Sequence, residues 1–348
     1  MQSRNSLTLN RAMRWPALAI MVVVCLGACG GPGDVPNTDD DIQARPTPVY
    51  PVTVSGVSSG AYMAVQTHVA LADRVAGVGA VAGGPYHCAA GSVSNALGRC
   101  ISGEDIDVAS LLSFTREASI AGEIAATGNL QDDRVWIFNS PKDVVVGQKV
   151  AAALGDFYRE LVLAGNIRFV DDIDAAHGWP TMDTGNTCLE IGGDFINACG
   201  FDTAGKLLNH LYDNLAPRAA ESGSEKLTSI DLSDYFESAS KVADTGYIFV
   251  PNSCHESDAE CRLHIFFHGC RQGAEFLDDR FAATAGFNEW ASDNRIVVVY
   301  PQIESSLMNP QGCWDWWGYT GSKYDLKSGK QISGIDKIIT AFASDQLY

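Results

Sequence analysis

The sequence predicts an α/β fold, a largely parallel β-sheet covered by helices. Three observations point to it. Short β-branched or aromatic runs alternate with segments of helical apolar spacing. Most of those runs are apolar on both faces, which strands covered on both sides require. The composition, 46% hydrophobic and 19% charged over 348 residues, supports one large core and excludes a disordered or fibrous chain.

In chain order, YPVTVS (50–55) and VAGVGAV (75–81) are Val-rich strand candidates on either side of AYMAVQTHVAL (61–71), whose apolar residues recur at helical spacing. VWIF (135–138) is a strand, 147–164 a helix and IRFV (167–170) a further strand. YIFV (247–250), HIFF (264–267) and IVVVY (296–300) complete the strands, with helices at 281–292 and 331–342. The sequence has no internal repeat.

The first residues stand apart from this domain. Arg4, Arg11 and Arg14 precede an apolar run at 16–26 that is too short to favour a spanning helix, and together they read as an export signal. It ends in Leu26-Gly27-Ala28-Cys29, which resembles the bacterial lipoprotein signal, so lipidation of Cys29 is expected. Residues 1–28 are thus assigned to the signal, 29–47, rich in Gly, Pro and Asp, to a flexible tether, and 48–348 to a single catalytic domain. The expected location is the cell envelope, with the lipid anchor as the sole membrane contact, or the medium if Cys29 is not lipidated.

A net charge of −18 excludes nucleic acid as a natural partner, because phosphate binding needs a basic face. Besides Cys25 and Cys29, the cysteines are Cys88, Cys100, Cys188, Cys199, Cys254, Cys261, Cys270 and Cys313, an even number that suits disulfides in an oxidising compartment. Three pairs are near neighbours, 88 with 100, 188 with 199 and 254 with 261, which leaves 270 with 313. None shows the spacing of a structural zinc site, and no metal or cofactor is expected.

GVSSG, residues 56–60, carries the chemistry. An apolar strand leads in and a helix leads out, the strand, sharp turn and helix that lift a serine Oγ above a sheet. Ser58 is the candidate nucleophile. The amide of Ser59, at the helix N-terminus, can face a developing oxyanion. Among the histidines, His68, His210 and His264 suit packing, and His87 and His255 neighbour cysteines in polar loops. His177 follows the strand 167–170 through DDIDAAHGWPT, at the strand's carboxyl edge, and is the candidate base. Asp143, a few residues beyond the strand 135–138, is the candidate acid, with Asp171, Asp172 and Asp174 as alternatives. Ser58, Asp143, His177 is the chain order of α/β-hydrolases.

The second oxyanion donor normally comes from a loop before the nucleophile. Here the only such loop, LHIFFHGCRQG (263–273), follows His177, which implies a circular permutation in which the segment from about Gly246 supplies the front of an ordinary hydrolase. On that reading the amide of Cys270 joins that of Ser59, and a Cys270–Cys313 bridge fixes the loop.

The order GVSSG, SPKD, AAHGWPT, FFHGCRQG, NEWASDNRIVVVYPQ and NPQGCWDWWGYTG resembles the circularly permuted catalytic domain of extracellular poly(3-hydroxybutyrate) depolymerases, over roughly residues 48–348. The resemblance implies an α/β-hydrolase fold, Ser58, Asp143 and His177 as the triad, Ser59 and Cys270 as oxyanion donors, and Trp314, Trp316 and Trp317 beside the substrate cleft. It implies an esterase acting on the polyester, and a monomer without a cofactor is expected. The multidomain members continue into a linker and a polymer-binding domain, whereas this chain stops at Tyr348, so amorphous polymer or oligomers are the expected substrates. A carbohydrate esterase releasing feruloyl or acetyl groups is the second reading, and a non-catalytic polymer-binding lipoprotein the third.

Overall fold

A computed structural model of the chain describes residues 52–218, 226–256 and 260–348. The signal, the tether and Cys29 lie outside the described residues. The elements run β1 (Val52–Val57), α1 (Ser59–Ala70), β2 (Val75–Val81), α2 (Val93–Leu97), α3 (Arg99–Ser102), α4 (Val108–Ile120), β3 (Arg134–Phe138), α5 (Gln148–Arg159), β4 (Ile167–Val170), β5 (Trp179–Thr181), β6 (Asn186–Thr187), β7 (Ile196–Ala198) and α6 (Thr203–Leu211). They continue through β8 (Leu227–Asp231), β9 (Thr245–Phe249), β10 (Arg262–Phe267), α7 (Ala274–Leu277), α8 (Arg280–Thr284), α9 (Phe287–Ser292), β11 (Ile296–Tyr300) and α10 (Lys330–Ala343).

The main sheet has the order β4-β3-β2-β1-β10-β11-β9-β8. From β4 to β11 all neighbours are parallel, while β9 and β8 continue the sheet antiparallel. Alternate strand residues feed two cores, because successive side chains leave a strand on opposite faces. Val135, Ile137, Leu263, Ile265, Val297 and Val299 point to the core under α1, α4, α5 and α10. Trp136, Phe138, Phe266 and Val298 point to the other, under α6, α8 and α9. This is the covered, largely parallel sheet that the doubly apolar runs require. The second sheet is small, β5-β7-β6, and lies in the segment after β4.

Three strands, β2, β4 and β11, have the bounds read from the sequence; β1, β3, β9 and β10 differ by one or two residues at an end, and β5 to β8 were not read there. Two helices differ more. The expected helix at 281–292 breaks into α8 and α9 because Gly286 adopts φ +88°, which a continuous helix cannot contain. Helix α5 stops at Arg159, and the apolar Leu161 and Val162 that suggested continuation pack onto the same core from a turn. Helices α4 and α6 were not read from the sequence, and each begins on an aspartate that accepts from a backbone amide, Asp107 from Ser110 at 3.2 Å and Asp202 from Gly205 at 2.8 Å.

Disulfides join Cys88 to Cys100, Cys188 to Cys199, Cys254 to Cys261 and Cys270 to Cys313. Among the described residues no helix is long and apolar enough to cross a membrane.

Packing leaves no spare room where β1 passes into α1 against the end of β10. A Cβ on Gly60 would stand 2.1 Å from the carbonyl oxygen of Phe267, and one on Gly56 would stand 2.2 Å from that of Gly60. Both obstacles are backbone and cannot rotate aside. Gly60→Ala is therefore expected to destabilise the domain by about 3 kcal/mol, as overpacking of a filled core does. A urea unfolding midpoint equal to that of the parent would contradict this packing.

Candidate active site

Ser58 occupies the turn between β1 and α1 with φ 57° and ψ −121°, strained for a residue with a side chain. Its amide donates to the Val81 carbonyl at 2.9 Å, and its own carbonyl accepts from Ala61 at 2.9 Å, so the strained turn is fixed from both sides. His177 Nε2 lies 3.1 Å from Ser58 Oγ, and His177 Nδ1 lies 2.8 Å from Asp143 Oδ2. Asp143 and His177 are almost wholly shielded from solvent. The second oxygen of Asp143 accepts from the amides of Val145 at 2.8 Å and Val146 at 2.9 Å, which orients the carboxylate at the ring. The structure thus assembles Ser58, His177 and Asp143 in hydrogen-bonding sequence, and Asp143, not Asp171, Asp172 or Asp174, faces the imidazole.

Two residues that the sequence reading passed over hold these parts together. Ser140 Oγ accepts from Lys142 N at 3.0 Å in its own loop and from Ala175 N at 2.8 Å in the loop of His177, tying the acid to the base. Gln272 is buried, and its amide is fully engaged. Oε1 accepts from Gly269 N at 2.7 Å, while Nε2 donates to the carbonyls of Asp194 and Phe195, each at 3.1 Å. Phe195 in turn meets the His177 ring edge-on and accepts from Trp179 N at 2.8 Å. Gln272 therefore joins the 269–270 turn to the segment that supports the base.

The 269–270 turn lies beside Ser58, since a Cβ on Gly269 would stand 3.4 Å from Ser58 Cβ. The amides on either side of Cys270 are tied, Gly269 N to Gln272 and Arg271 N to the Gln311 carbonyl at 2.7 Å. Among the described residues the amides of Ser59 and Cys270 donate to no protein acceptor. His268 Nδ1 is 2.7 Å from the Gly269 carbonyl oxygen, and Nε2 accepts from Ile303 N at 3.1 Å, an arrangement that places the ring proton on Nδ1. Burial keeps this imidazole neutral, with its pKa pushed down to about 4. Both His268 and Gln272 stand in the HGCRQG segment, but nothing in a hexapeptide says which distant backbone groups they reach.

A cavity of about 440 Å³ opens onto Ser58 and His177. Val93, Ala96, Leu97 and Ile101 line one part of it, with Val145 and Val146 of the acid loop, and Met308, Pro310, Trp316 and Trp317 line another. Trp316 stacks on Tyr62, with ring centroids 4.6 Å apart. The turn that carries Trp316 and Trp317 is braced by Asp315. Its carboxylate accepts from the amides of Gly318, Tyr319 and Thr320 at 2.7, 3.0 and 2.8 Å and from the Thr320 hydroxyl at 2.6 Å. Burial raises the Asp315 pKa, and these donors oppose the rise. Trp314 corrects the expectation that all three tryptophans border the cleft. It is fully buried and off the cavity wall, its ring edge-on to Phe267 in the core, while its amide donates to Ser59 Oγ at 3.3 Å.

The remaining histidines have other partners. His68 lies between Tyr158 and Asp133, His264 between Thr53 and Ser55, and His87 against Asp325. His210 meets the Asn166 carbonyl oxygen, and His255 packs on Tyr348. Among the described residues no three His, Cys, Asp or Glu side chains cluster as metal ligands.

No protein-family model matches the chain. It is 39% identical over 296 residues to a poly(3-hydroxybutyrate) depolymerase of Delftia acidovorans, a match covering 84% of this chain and 59% of that protein. It is 32% identical over 303 residues to a polyhydroxybutyrate depolymerase of Talaromyces funiculosus, covering 82% of this chain and 87% of the relative. Among solved structures, a serine-to-alanine variant of a PHB depolymerase complexed with an R3HB trimer superposes with a TM-score of 0.80 at 31% identity, over 84% of this chain and 95% of the other. The PHB depolymerase of Penicillium funiculosum gives a TM-score of 0.80 at 30% identity, over 85% and 96% of the two chains.

Gln272→Leu would take the bond partner from the buried Gly269 N–H and the Asp194 carbonyl, and would leave the Phe195 carbonyl only its bond from Trp179 N. Turnover of a soluble ester such as p-nitrophenyl butyrate is expected to fall about tenfold or more, towards the hundredfold that loss of an oxyanion donor costs. Steady-state kinetics read this directly, and an unchanged kcat would separate the clamp from turnover.

Proposed function

The chain belongs to the poly(3-hydroxybutyrate) depolymerase family and has the α/β-hydrolase fold, and from that premise we propose that it is a serine esterase hydrolysing poly(3-hydroxybutyrate), as amorphous polymer or oligomers. The observation that carries this reading is the hydrogen-bonded series Ser58, His177, Asp143 opening onto an apolar cavity. In this mechanism His177 Nε2 takes the Ser58 proton as Oγ attacks the ester carbonyl. The amides of Ser59 and Cys270 hold the resulting oxyanion. Collapse of the tetrahedral intermediate breaks the ester bond, and the proton on His177 passes to the departing alkoxide, giving a hydroxyl-ended fragment. Water, activated by the same imidazole, then attacks the acyl-serine and releases the carboxylic acid. Asp143 stays ionised throughout, holding the Nδ1–H tautomer and balancing the imidazolium.

The cavity suits such a substrate. A polyester repeat is uncharged, without hydrogen-bond donors, and the walls offer aliphatic and indole surface. Val93, Leu97 and Met308 of the lining are also exposed, so apolar surface continues to the mouth.

The strand order supports the permuted reading. The strand leading to Ser58, β1, lies between β2 of the early segment and β10 of the late one, and β9, β10 and β11 all come from the segment after about Gly246. Four disulfides favour an oxidising compartment, hence export. Lipidation of Cys29 would then hold the protein at the cell envelope. The triad comes from one chain, which supports activity as a monomer.

Ser58→Ala is expected to lower kcat about a millionfold. Asp143→Asn, which would favour the wrong imidazole tautomer, should lower it about ten-thousandfold. Amorphous polyhydroxybutyrate offered beside a feruloylated sugar ester, with products identified by mass, should yield 3-hydroxybutyrate and its short oligomers. Release of ferulate alone would overturn the polyester assignment, and organophosphonate labelling at another serine would overturn the nucleophile.

Cys29→Ala is expected to move the protein from the membrane fraction to the soluble one, because each buried acyl CH₂ adds about 0.8 kcal/mol to membrane binding. A wild-type mature N-terminus at or beyond Gly30 would contradict the anchor.

A further inference from the structure

Among the residues lining the cavity, Arg271 alone carries a full charge. It directly follows Cys270, so its Cα lies about 3.8 Å from that of the proposed oxyanion residue. Its side chain has no ion pair or hydrogen-bond acceptor among the described residues, although the sequence holds 42 acids against 24 lysines and arginines. The backbone there adopts φ 62°, a conformation glycine takes more readily than a residue with a side chain, and Arg271 N is pinned to the Gln311 carbonyl at 2.7 Å. An arginine thus stands, with an uncommitted guanidinium, at a left-handed position beside the scissile site of a strongly acidic protein.

The interior repeats of a polyester offer this group no ionic partner, but a chain end does. Every oligomer with a free acid end carries one carboxylate, one repeat beyond its last scissile carbonyl on the leaving-group side. The net charge of −18 repels that carboxylate, whereas a guanidinium at the cavity presents a planar set of donors that matches it. We propose that Arg271 binds the terminal carboxylate of 3-hydroxybutyrate oligomers and so favours cleavage of the last ester bond in acid-ended chains. This rests on the depolymerase reading and adds to it a preferred substrate class, the acid-ended oligomer.

The test compares the (R)-3-hydroxybutyrate trimer as free acid and as methyl ester with the wild-type enzyme, Arg271→Gln and Arg271→Lys. For wild type, kcat/KM for the acid should exceed that for the methyl ester about fivefold at low salt, the size that an exposed ion pair supports. The ratio should narrow in 0.5 M NaCl, roughly, as screening predicts. Arg271→Gln should bring the ratio to about one, and Arg271→Lys should retain most of it; a general loss of structure would lower both substrates together and leave the ratio unmoved. A wild-type ratio near one, or the same ratio in wild type and Arg271→Gln, overturns the carboxylate site while leaving the esterase intact. Cleavage of neither trimer by wild type overturns the depolymerase reading and this proposal with it.

Discussion

The site depends first on a backbone contact, the approach of the β1–α1 turn to the end of β10. Gly56 and Gly60 leave no room for a methyl group between the turn and the carbonyls of Phe267 and His268. That closeness sets the 269–270 turn beside Ser58, although more than two hundred residues of chain separate them. The strain at Ser58, which a free chain would relax, persists because hydrogen bonds to β2 and within α1 over-determine it. A serine raised above a sheet edge is thus a product of packing, with the glycines as its condition.

Around this contact, buried polar groups hold loops to one another. Ser140 ties the acid loop to the histidine loop, Gln272 ties the 269–270 turn to the support of His177, and Asp315 braces the turn bearing Trp316 and Trp317. Loops have few apolar contacts to fix them, so buried, fully satisfied hydrogen bonds take that role, and each lost partner leaves another group unsatisfied. The Cys270–Cys313 bridge adds a covalent tie between the 269–270 turn and the tryptophan segment. Precision at the site thus comes from these cross-links between loops, which hang from a rigid parallel sheet.

The apolar cavity and the acidic surface act on different parts of a polyester. Its uncharged interior suits aliphatic and indole walls, where desolvation costs little, while its acid ends are opposed by the net charge and met, at the cavity, by Arg271. The charged end groups are therefore where this protein can discriminate among chains of the same repeat.

The sequence by itself determined seven strands of the main sheet, all but β8, because runs apolar on both faces have no other stable place, and the position of the candidate nucleophile, because Gly-x-Ser-x-Gly stands between a strand and a helix. The near-neighbour cysteine pairs, the late position of the HGCRQG loop and the candidacies of Asp143 and His177 were also legible, since each follows from local pattern or chain order. Only the tertiary structure decided which aspartate faces His177, that Trp314 belongs to the core while Trp316 and Trp317 line the cavity, and that Ser140, His268 and Gln272 brace the site. It also divided the expected 281–292 helix at Gly286 and supplied α4, α6 and the small sheet. Local sequence reports propensity and burial, properties of a segment and its solvent. A hydrogen bond between residues separated by dozens of positions depends on how the whole sheet brings two loops together, and nothing in either loop encodes the other.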